Sequence, residues 1–217
     1  MKILVLGATG RTGKLVLKRA LADGFEVHCL ARNSNRIKPQ QKLTVIEGDA
    51  NDIQDLQKAL NGCDAIISVL NISRTSDFPW APLKTPKTYL SNVMHKLTTI
   101  AQQESINKIV ICSAWGVAET NKNLPFWFRW IIEYSNIGFA YKDHEKQEKI
   151  LYSSELNWTI VRPVGLTNSS QKASIQESWN NQPKPNLLVS RDSVARCLVN
   201  SITRTDLNRK TVVISKS

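Results

Sequence analysis

Short apolar runs alternate along this chain with longer segments whose apolar positions recur every three or four residues. Ile3-Leu4-Val5-Leu6 predicts a buried strand over about Lys2–Leu6, and the amphipathic stretch behind it predicts a helix from Arg11 to about Asp23, ended by Gly24. Strands are expected at Glu26–Arg32 and Leu43–Glu47, then a short helix over Asp52–Leu60 with Asn51 or Asp52 as cap and Gly62 as stop. A strand at Ala65–Leu70 leads to a long helix from about Lys87 to Glu104, which carries Leu90, Val93, Met94, Leu97, Ile100 and Ala101 at helical spacing. Lys108–Cys112, a helix over about Tyr141–Tyr152, and a strand Trp158–Val161 running into Arg162-Pro163 follow. Asn186–Val189, a helix Arg191–Ser201 and a strand Thr211–Ile214 complete the pattern. Such alternation predicts an α/β fold: a doubly wound, mainly parallel sheet with helices on both faces.

Three segments break the rhythm: 71–86, 114–138 and 167–185. Each follows the C-terminal end of an expected strand, where open α/β sheets bind their ligands. They are therefore expected to wall a substrate pocket, with ordinary surface loops as the alternative. Aromatic residues crowd them: Phe78 and Trp80, then Trp115 and Phe126-Trp127-Phe128-Arg129-Trp130, then Trp179. Flat ligands favour such walls. The same residues can serve core packing, with Phe126–Trp130 docking as a helix, or an exposed face for a partner or a membrane surface.

With 217 residues and 41% hydrophobic content, the chain is expected to form one domain over 1–217 around one substantial core. No apolar run approaches the ~18–20 residues of a membrane span, and the short first run is not expected to act as a signal peptide. Cys29, Cys63, Cys112 and Cys197 form no CxxC pair or metal cluster and are expected to be reduced core residues of a cytoplasmic protein. The net charge of +11 is spread through helices and loops without a dense block. Specific nucleic-acid binding is not expected, and a general field attracting a phosphate-rich ligand accounts for the charge.

Gly7-Ala8-Thr9-Gly10-Arg11-Thr12-Gly13 carries the chemistry. A buried strand entering a glycine-rich turn and then a helix sets backbone N–H groups and a positive helix end against a pyrophosphate. Gly7 permits the tight turn, Gly10 lets backbone approach phosphates, and Gly13 lets helix and strand pack closely. Thr9, Arg11 and Thr12 complete the turn. The spacing is GxxGxxG, not the commoner GxGxxG. The second strand ends Leu30-Ala31-Arg32-Asn33, without the carboxylate that holds the NAD ribose. Arg32 can grip a 2′-phosphate through forked, charge-assisted contacts, with Arg11 on the same side to help, which favours NADP over NAD. Arg36 and Lys38 read as solvated charge. Asp49, beside Ala50, is placed to accept from an adenine amino group or to cap the next segment, while Val69 and Leu70 would line adenosine and ribose.

These features resemble the atypical short-chain dehydrogenase/reductase family, especially its NAD(P)H-binding, NmrA-like members, and among those the flavin reductase/biliverdin-IXβ reductase-like proteins. The resemblance rests on the glycine turn, on Asp143-His144-Glu145-Lys146-Gln147-Glu148-Lys149-Ile150-Leu151, and on Trp158-Thr159-Ile160-Val161-Arg162-Pro163-Val164-Gly165-Leu166. Val189–Ala195 also fits. The resemblance implies a Rossmann-type fold, NADP(H) as cofactor, and a nicotinamide near Arg162-Pro163-Val164-Gly165.

One departure matters. Members of the wider family use a Tyr and a Lys four residues apart, the lysine lowering the pKa of the proton-transferring tyrosine. Here Tyr141 is followed four residues later by Glu145, and no other tyrosine has the lysine. Ser113 keeps the family's serine position and can face nicotinamide or substrate, or simply satisfy the strand end. Hydride transfer to a flavin, quinone or linear tetrapyrrole demands less, because the conjugated acceptor takes the hydride and solvent supplies the proton. His144, with an ordinary pKa near neutrality, is a candidate proton donor or orienting group, and Tyr141 and Lys142 are further candidates; packing or surface roles are the alternative for all three. The expected function is NADPH-dependent reduction of a flat, conjugated small molecule by a monomer or homodimer. The rivals are a non-catalytic NADP(H)-sensing regulatory protein and a carbonyl or epimerase-like enzyme using other residues.

Overall fold

The computed structural model describes residues 1–169 and 174–217; residues 170–173 of the third irregular segment lie outside the described residues. Strands β1 (Lys2–Leu6), β2 (Glu26–Ala31), β3 (Leu43–Glu47), β4 (Ala65–Ser68), β5 (Lys108–Cys112) and β6 (Trp158–Pro163) pair in parallel in the order β3-β2-β1-β4-β5-β6. Two further strands, β7 (Gly165–Thr167) and β9 (Leu188–Ser190), make a small parallel pair, while β10 (Lys210–Lys216) joins β6 in parallel and β8 (Ile175–Ser178) closes that edge antiparallel. The short runs Ile3–Leu6, Ala65–Ile67 and Ile109–Ile111 are buried from both faces. Their continuous apolar character is what a doubly covered parallel sheet requires.

Helices α1 (Arg11–Ala22) and α6 (Arg191–Asn200) cover one face, with Val16, Leu17, Ala20, Val194 and Leu198 turned inward. On the other face lie α2 (Ile53–Leu60), α3 (Tyr89–Gln103) and α5 (Ile137–Tyr152), contributing Leu56, Leu90, Met94, Leu97 and Leu151. A short helix, α4 (Phe126–Tyr134), buries only Ile132 of its nine residues. The chain reverses its direction of winding between β1 and β4, and the crevice of such sheets opens at that point.

Three differences from the expected elements have physical causes. The helix at Tyr141–Tyr152 begins earlier, at Ile137, because Gly138 lets its first turn lie on the α4 backbone; a Cβ there would meet the Ile132 carbonyl at 2.2 Å. Strands β7 and β8 were not expected, since their few residues (Gly165-Leu166-Thr167 and Ile175-Gln176-Glu177-Ser178) carry no apolar run. Their partners lie far along the chain. The expected strand at Asn186–Val189 is shifted to Leu188–Ser190, where Ser190 already caps α6 by accepting from the Ser193 N–H.

Helix α5 is fixed by two buried acids. Asp143, 1% exposed, accepts from the backbone N–H of Leu90 (2.7 Å), that of Ser91 (3.4 Å) and the Ser91 hydroxyl (2.5 Å). Thr88, the residue before α3, makes no side-chain cap, so an acid from another helix satisfies the orphan donors and meets the positive end of the helix dipole. One turn on, Glu148 takes the Nε of fully buried Arg162 (3.0 Å) and one of its terminal nitrogens, and Glu119 engages the other side of the same guanidinium. Asp143→Ala strands two N–H groups in the core, leaves the Ser91 hydroxyl only the Thr88 carbonyl (3.3 Å), and should cost about 2–3 kcal/mol. Urea denaturation of the variant checks this, with a loss below half a kcal/mol contradicting the assignment.

Candidate functional site

Tight packing of β1 on α1 shapes the first wall of the site. Gly7 has φ +83°, and a Cβ there would meet the Val69 carbonyl at 2.9 Å. A Cβ on Gly13 would lie 2.0 Å from the Gly7 carbonyl, so only glycine lets the helix start this close to the strand. Gly10 closes the turn through its N–H to the Gly7 carbonyl (3.0 Å) and stands at the N-cap of α1 without a side-chain cap. The first-turn N–H groups of α1 therefore open toward the crevice, as an anion site requires.

The crevice is a groove of about 910 Å³ running across the C-terminal ends of the strands. Gly7, Thr9, Gly10, Arg11, Thr12, Gly13, Arg32, Ala50, Val69, Leu70, Ser113, Tyr141, His144, Pro163 and Val164 all line it. Parts of all three irregular segments do so too: Asn71–Arg74 with Ser76 and Asp77, then Ala114, Trp115 and Phe128, then Asn168. Of the crowded aromatics, Trp115 and Phe128 reach the groove, whereas Phe78, Trp80, Phe126, Trp127, Trp130 and Trp179 do not border it.

Two expected site residues stand apart. Lys142 is exposed and outside the lining. Asp49 is not in the lining either, although Gly48 and Ala50 on both sides of it are. Its carboxylate accepts from the Asn51 N–H (2.9 Å) and the Tyr89 hydroxyl (3.3 Å), while the cap of the following helix is Asp52, accepting from the N–H groups of Gln54 and Asp55. Arg11 also differs from expectation. Its guanidinium is held in a two-pronged pair by Asp77 (2.8 and 2.9 Å) rather than left free beside Arg32.

The two ends of the groove differ in electrostatics. At the α1 end, the Arg11 hydrogen bonds hold the Asp77 carboxyl below its usual range, helped by the charges of Arg191 and Arg74. Arg191 opens α6 and donates to the Asn168 side chain (2.6 Å). Arg32 at the end of β2 is exposed, and its side chain makes no hydrogen bond or ion pair among the described residues. Arg74, Asp77 and Arg191 were missed as site residues. No spacing links them to the glycine turn, and only the fold brings them together.

On the β5 side of the turn, burial shifts Tyr141, Cys112 and His144 toward their neutral forms. Tyr141 sits deep with one edge on the groove and is pushed well above the phenol range, while Cys112 is pushed up to about 12. His144 is pushed down to about 4. This overturns His144 as an acid that titrates near neutrality: the imidazole is neutral, and its Nδ1 faces the Gln147 side-chain amide at 3.4 Å. Where a lysine would adjust Tyr141, Glu145 pairs outward with Lys149 (2.6 Å).

Among the described residues six buried side-chain polar atoms lack a partner, and three of them line the groove: Ser113 Oγ, Trp115 Nε1 and Arg74 Nε. Buried polar groups are rarely left unpaired, so their concentration here marks a place built for a polar ligand. With the glycine cradle after the interior strand β1, Arg32 and Ala50 to one side of it and Ser113 and Pro163 to the other, the residues present fit a dinucleotide.

Comparisons with known proteins agree with that geometry. Residues 7–205 match a protein family described as NAD(P)H-binding. An oxidoreductase of Pestalotiopsis microspora is 26% identical over 183 residues, covering 77% of this chain and 68% of that protein. Among solved structures, an anaerobilin reductase from Escherichia coli O157:H7 superposes with a TM-score of 0.82 at 20% identity, covering 100% of this chain and 97% of its own. A short-chain dehydrogenase/reductase from Veillonella parvula, crystallised with NADP, gives 0.78 at 17% identity, covering 99% and 94%.

The depressed His144 pKa has a consequence for stability. Because the folded value of about 4 lies below the ordinary histidine value, the unfolded chain binds the proton more readily. The neutral imidazole's contribution is present above about pH 6.5 and is lost as pH falls toward 4. Denaturation midpoints of wild type and His144→Asn, measured across that window, should converge toward its acid end. Parallel curves would place a titrating, solvated histidine at this position.

Proposed function

The chain belongs to the NAD(P)H-binding family, and from that premise we propose that it is an NADPH-dependent oxidoreductase that passes hydride to a flat, conjugated acceptor such as a flavin, quinone or linear tetrapyrrole. One observation carries this reading: among the described residues no lysine stands beside Tyr141 on the groove wall, where Glu145 pairs outward with Lys149 and His144 is buried. Carbonyl reduction by the usual tyrosine–lysine route needs such a lysine. Reduction of an extended π-system does not, since the electrons are delocalised on arrival and the proton comes from water.

When bound, NADPH supplies the hydride. The glycine turn and the open first turn of α1 bind its pyrophosphate through backbone N–H groups, with Arg11, Arg74 and Arg191 as counter-charges. Arg32 takes the 2′-phosphate, and Ala50, Val69 and Leu70 line the adenosine side. Pro163 and Val164 border the nicotinamide. Ser113 Oγ and Trp115 Nε1 donate to whatever polar atom enters between them, and neutral His144 orients the acceptor. Tyr141 and Phe128, edge to face at 6.4 Å, close the wall and exclude water. Catalysis is then positioning and exclusion, without protein acid–base chemistry. The free thiols of the four cysteines suit a reducing compartment, and a cytoplasmic location belongs to the same proposal.

The neutral wall suits a non-catalytic NADP(H) sensor equally, and turnover separates the two. Purified protein with NADPH and FMN, a benzoquinone or a bilin should oxidise the nucleotide steadily with at least one of them. Tight NADPH binding with no turnover on any of the three assigns the sensor. Arg32→Ala should weaken NADPH binding by roughly ten- to a hundredfold while leaving NADH nearly unchanged, the loss expected for a charge-assisted contact. Equal weakening of both nucleotides would sink the 2′-phosphate assignment.

A further inference from the structure

Six large aromatic side chains that the groove does not use gather into one exposed patch. Helix α4 turns Phe126, Trp127, Trp130 and Tyr134 outward, at 77, 53, 54 and 59% exposure, while Ile132 on its opposite side is buried. Phe78 and Trp80 extend the patch from the segment after β4, with rings 5.4 Å apart, and Trp80 reaches Trp130 at 6.2 Å. The arrangement is held in place. Trp80 donates its indole N–H to the Tyr134 carbonyl (2.8 Å), and Asn136 donates to the carbonyls of Trp80 (2.9 Å) and Ala81 (3.1 Å). Trp80, Phe126, Trp127, Trp130 and Ile131 bound a shallow, wholly apolar hollow of about 400 Å³. Isolated exposed hydrophobics are ordinary, but a rigid contiguous patch of this kind marks a contact surface.

We propose that this patch docks the protein on an anionic lipid surface. Tryptophan, tyrosine and phenylalanine are the side chains that settle at the lipid–water boundary, where one part of the ring is apolar and the rest is wet. The charge around them has the matching sign. Exposed Arg129 stands on α4, Lys122 in the turn before it, and Lys84 and Lys87 in the segment after Trp80. Among the described residues of these segments the acids are Glu133, on the same helix, Asp77, paired with Arg11, and Glu119, paired with Arg162. The chain as a whole carries +11. Charge of this size opposes a second copy of the chain as occupant, since a symmetric contact through α4 brings both basic sets together. It favours an anionic bilayer, which attracts juxtamembrane Lys and Arg and needs no shape complement for a ridge of protruding rings. Phe128 on the inner side of α4 and Ser76-Asp77 beside Phe78 line the groove, so docking would set the groove mouth beside the lipid surface.

The test is co-sedimentation of the full chain with phosphatidylcholine vesicles, with and without about one-third phosphatidylglycerol, at about 0.1 M salt and again at about 0.5 M. Tryptophan quenching by brominated lipid in the same vesicles reports insertion of the rings. Binding should require the anionic lipid, weaken several-fold at the higher salt, and quench the fluorescence. Trp127→Ser/Trp130→Ser should bind at least about tenfold more weakly. Both positions are exposed and outside the groove, so NADPH affinity and thermal midpoint should not change, which separates loss of docking from loss of folding. The proposal is overturned by no vesicle binding, by equal binding to neutral vesicles, or by an undiminished double variant, which would reveal charge alone. Concentration-dependent dimers that the double variant abolishes, without vesicle binding, would assign the face to a second copy instead.

Discussion

Helix α5 depends on two acids that have left water. Asp143 supplies the cap that α3 lacks in its own sequence, and Glu148 holds the guanidinium of Arg162 on β6. The reacting end of the groove hangs from these two anchors, because His144 follows Asp143 directly and Tyr141 precedes it by two residues. Burying a carboxylate is costly, and an isolated ion pair in a core often stabilises less than apolar packing would. Asp143 escapes that balance by accepting three hydrogen bonds, two of them from N–H groups that would otherwise be orphans at a helix end. Arg162 does so by meeting two carboxylates, one buried and one at the surface. Removal of either anchor therefore leaves uncompensated polar groups, and the geometry of the groove wall is tied to the stability of the core.

The same burial sets the chemical character of that wall. A family that ordinarily lowers a tyrosine pKa with a neighbouring lysine here has a glutamate at the lysine's position, turned to solvent and paired with Lys149. Desolvation dominates there, so Tyr141 and Cys112 move up and His144 moves down. The cation-rich end around Arg11, Arg74 and Arg191 and the neutral end around Ser113 and His144 are thus opposite poles of one groove. A dinucleotide carries its pyrophosphate between two nucleosides, so the cations suit its phosphates and the neutral wall suits the uncharged dihydronicotinamide on one side of them.

Much of this was readable in the amino-acid order, for reasons that differ by element. The central strands β1, β4 and β5 carry unbroken apolar runs, and the glycine turn is written within seven consecutive residues, so both follow from local pattern. The cation cluster is not local: Arg74 and Arg191 join Arg11 only because β4 lies beside β1 and α6 packs on α1. Asp49 shows the limit of position alone. It follows β3 as an adenine-binding acid should, yet its side chain serves Asn51 and Tyr89. For His144 the residue type suggested a titrating acid, and the environment that prevents it comes from the fold.

The aromatic segment 126–130 admitted three readings by composition, and the structure divides them between two sides of one short helix. Phe128 packs edge to face on Tyr141 and helps to close the groove, while Phe126, Trp127 and Trp130 face away from it. A helix of nine residues is too short to be stable on its own. It is held by buried Ile132 and by the hydrogen bonds that tie Trp80 and Asn136 across its C-terminal end. Its outward rings can therefore be exposed without the helix unravelling. Phe128 alone of the helix's rings belongs to the groove wall, so one short helix presents an apolar face outward and closes the groove with its inner side.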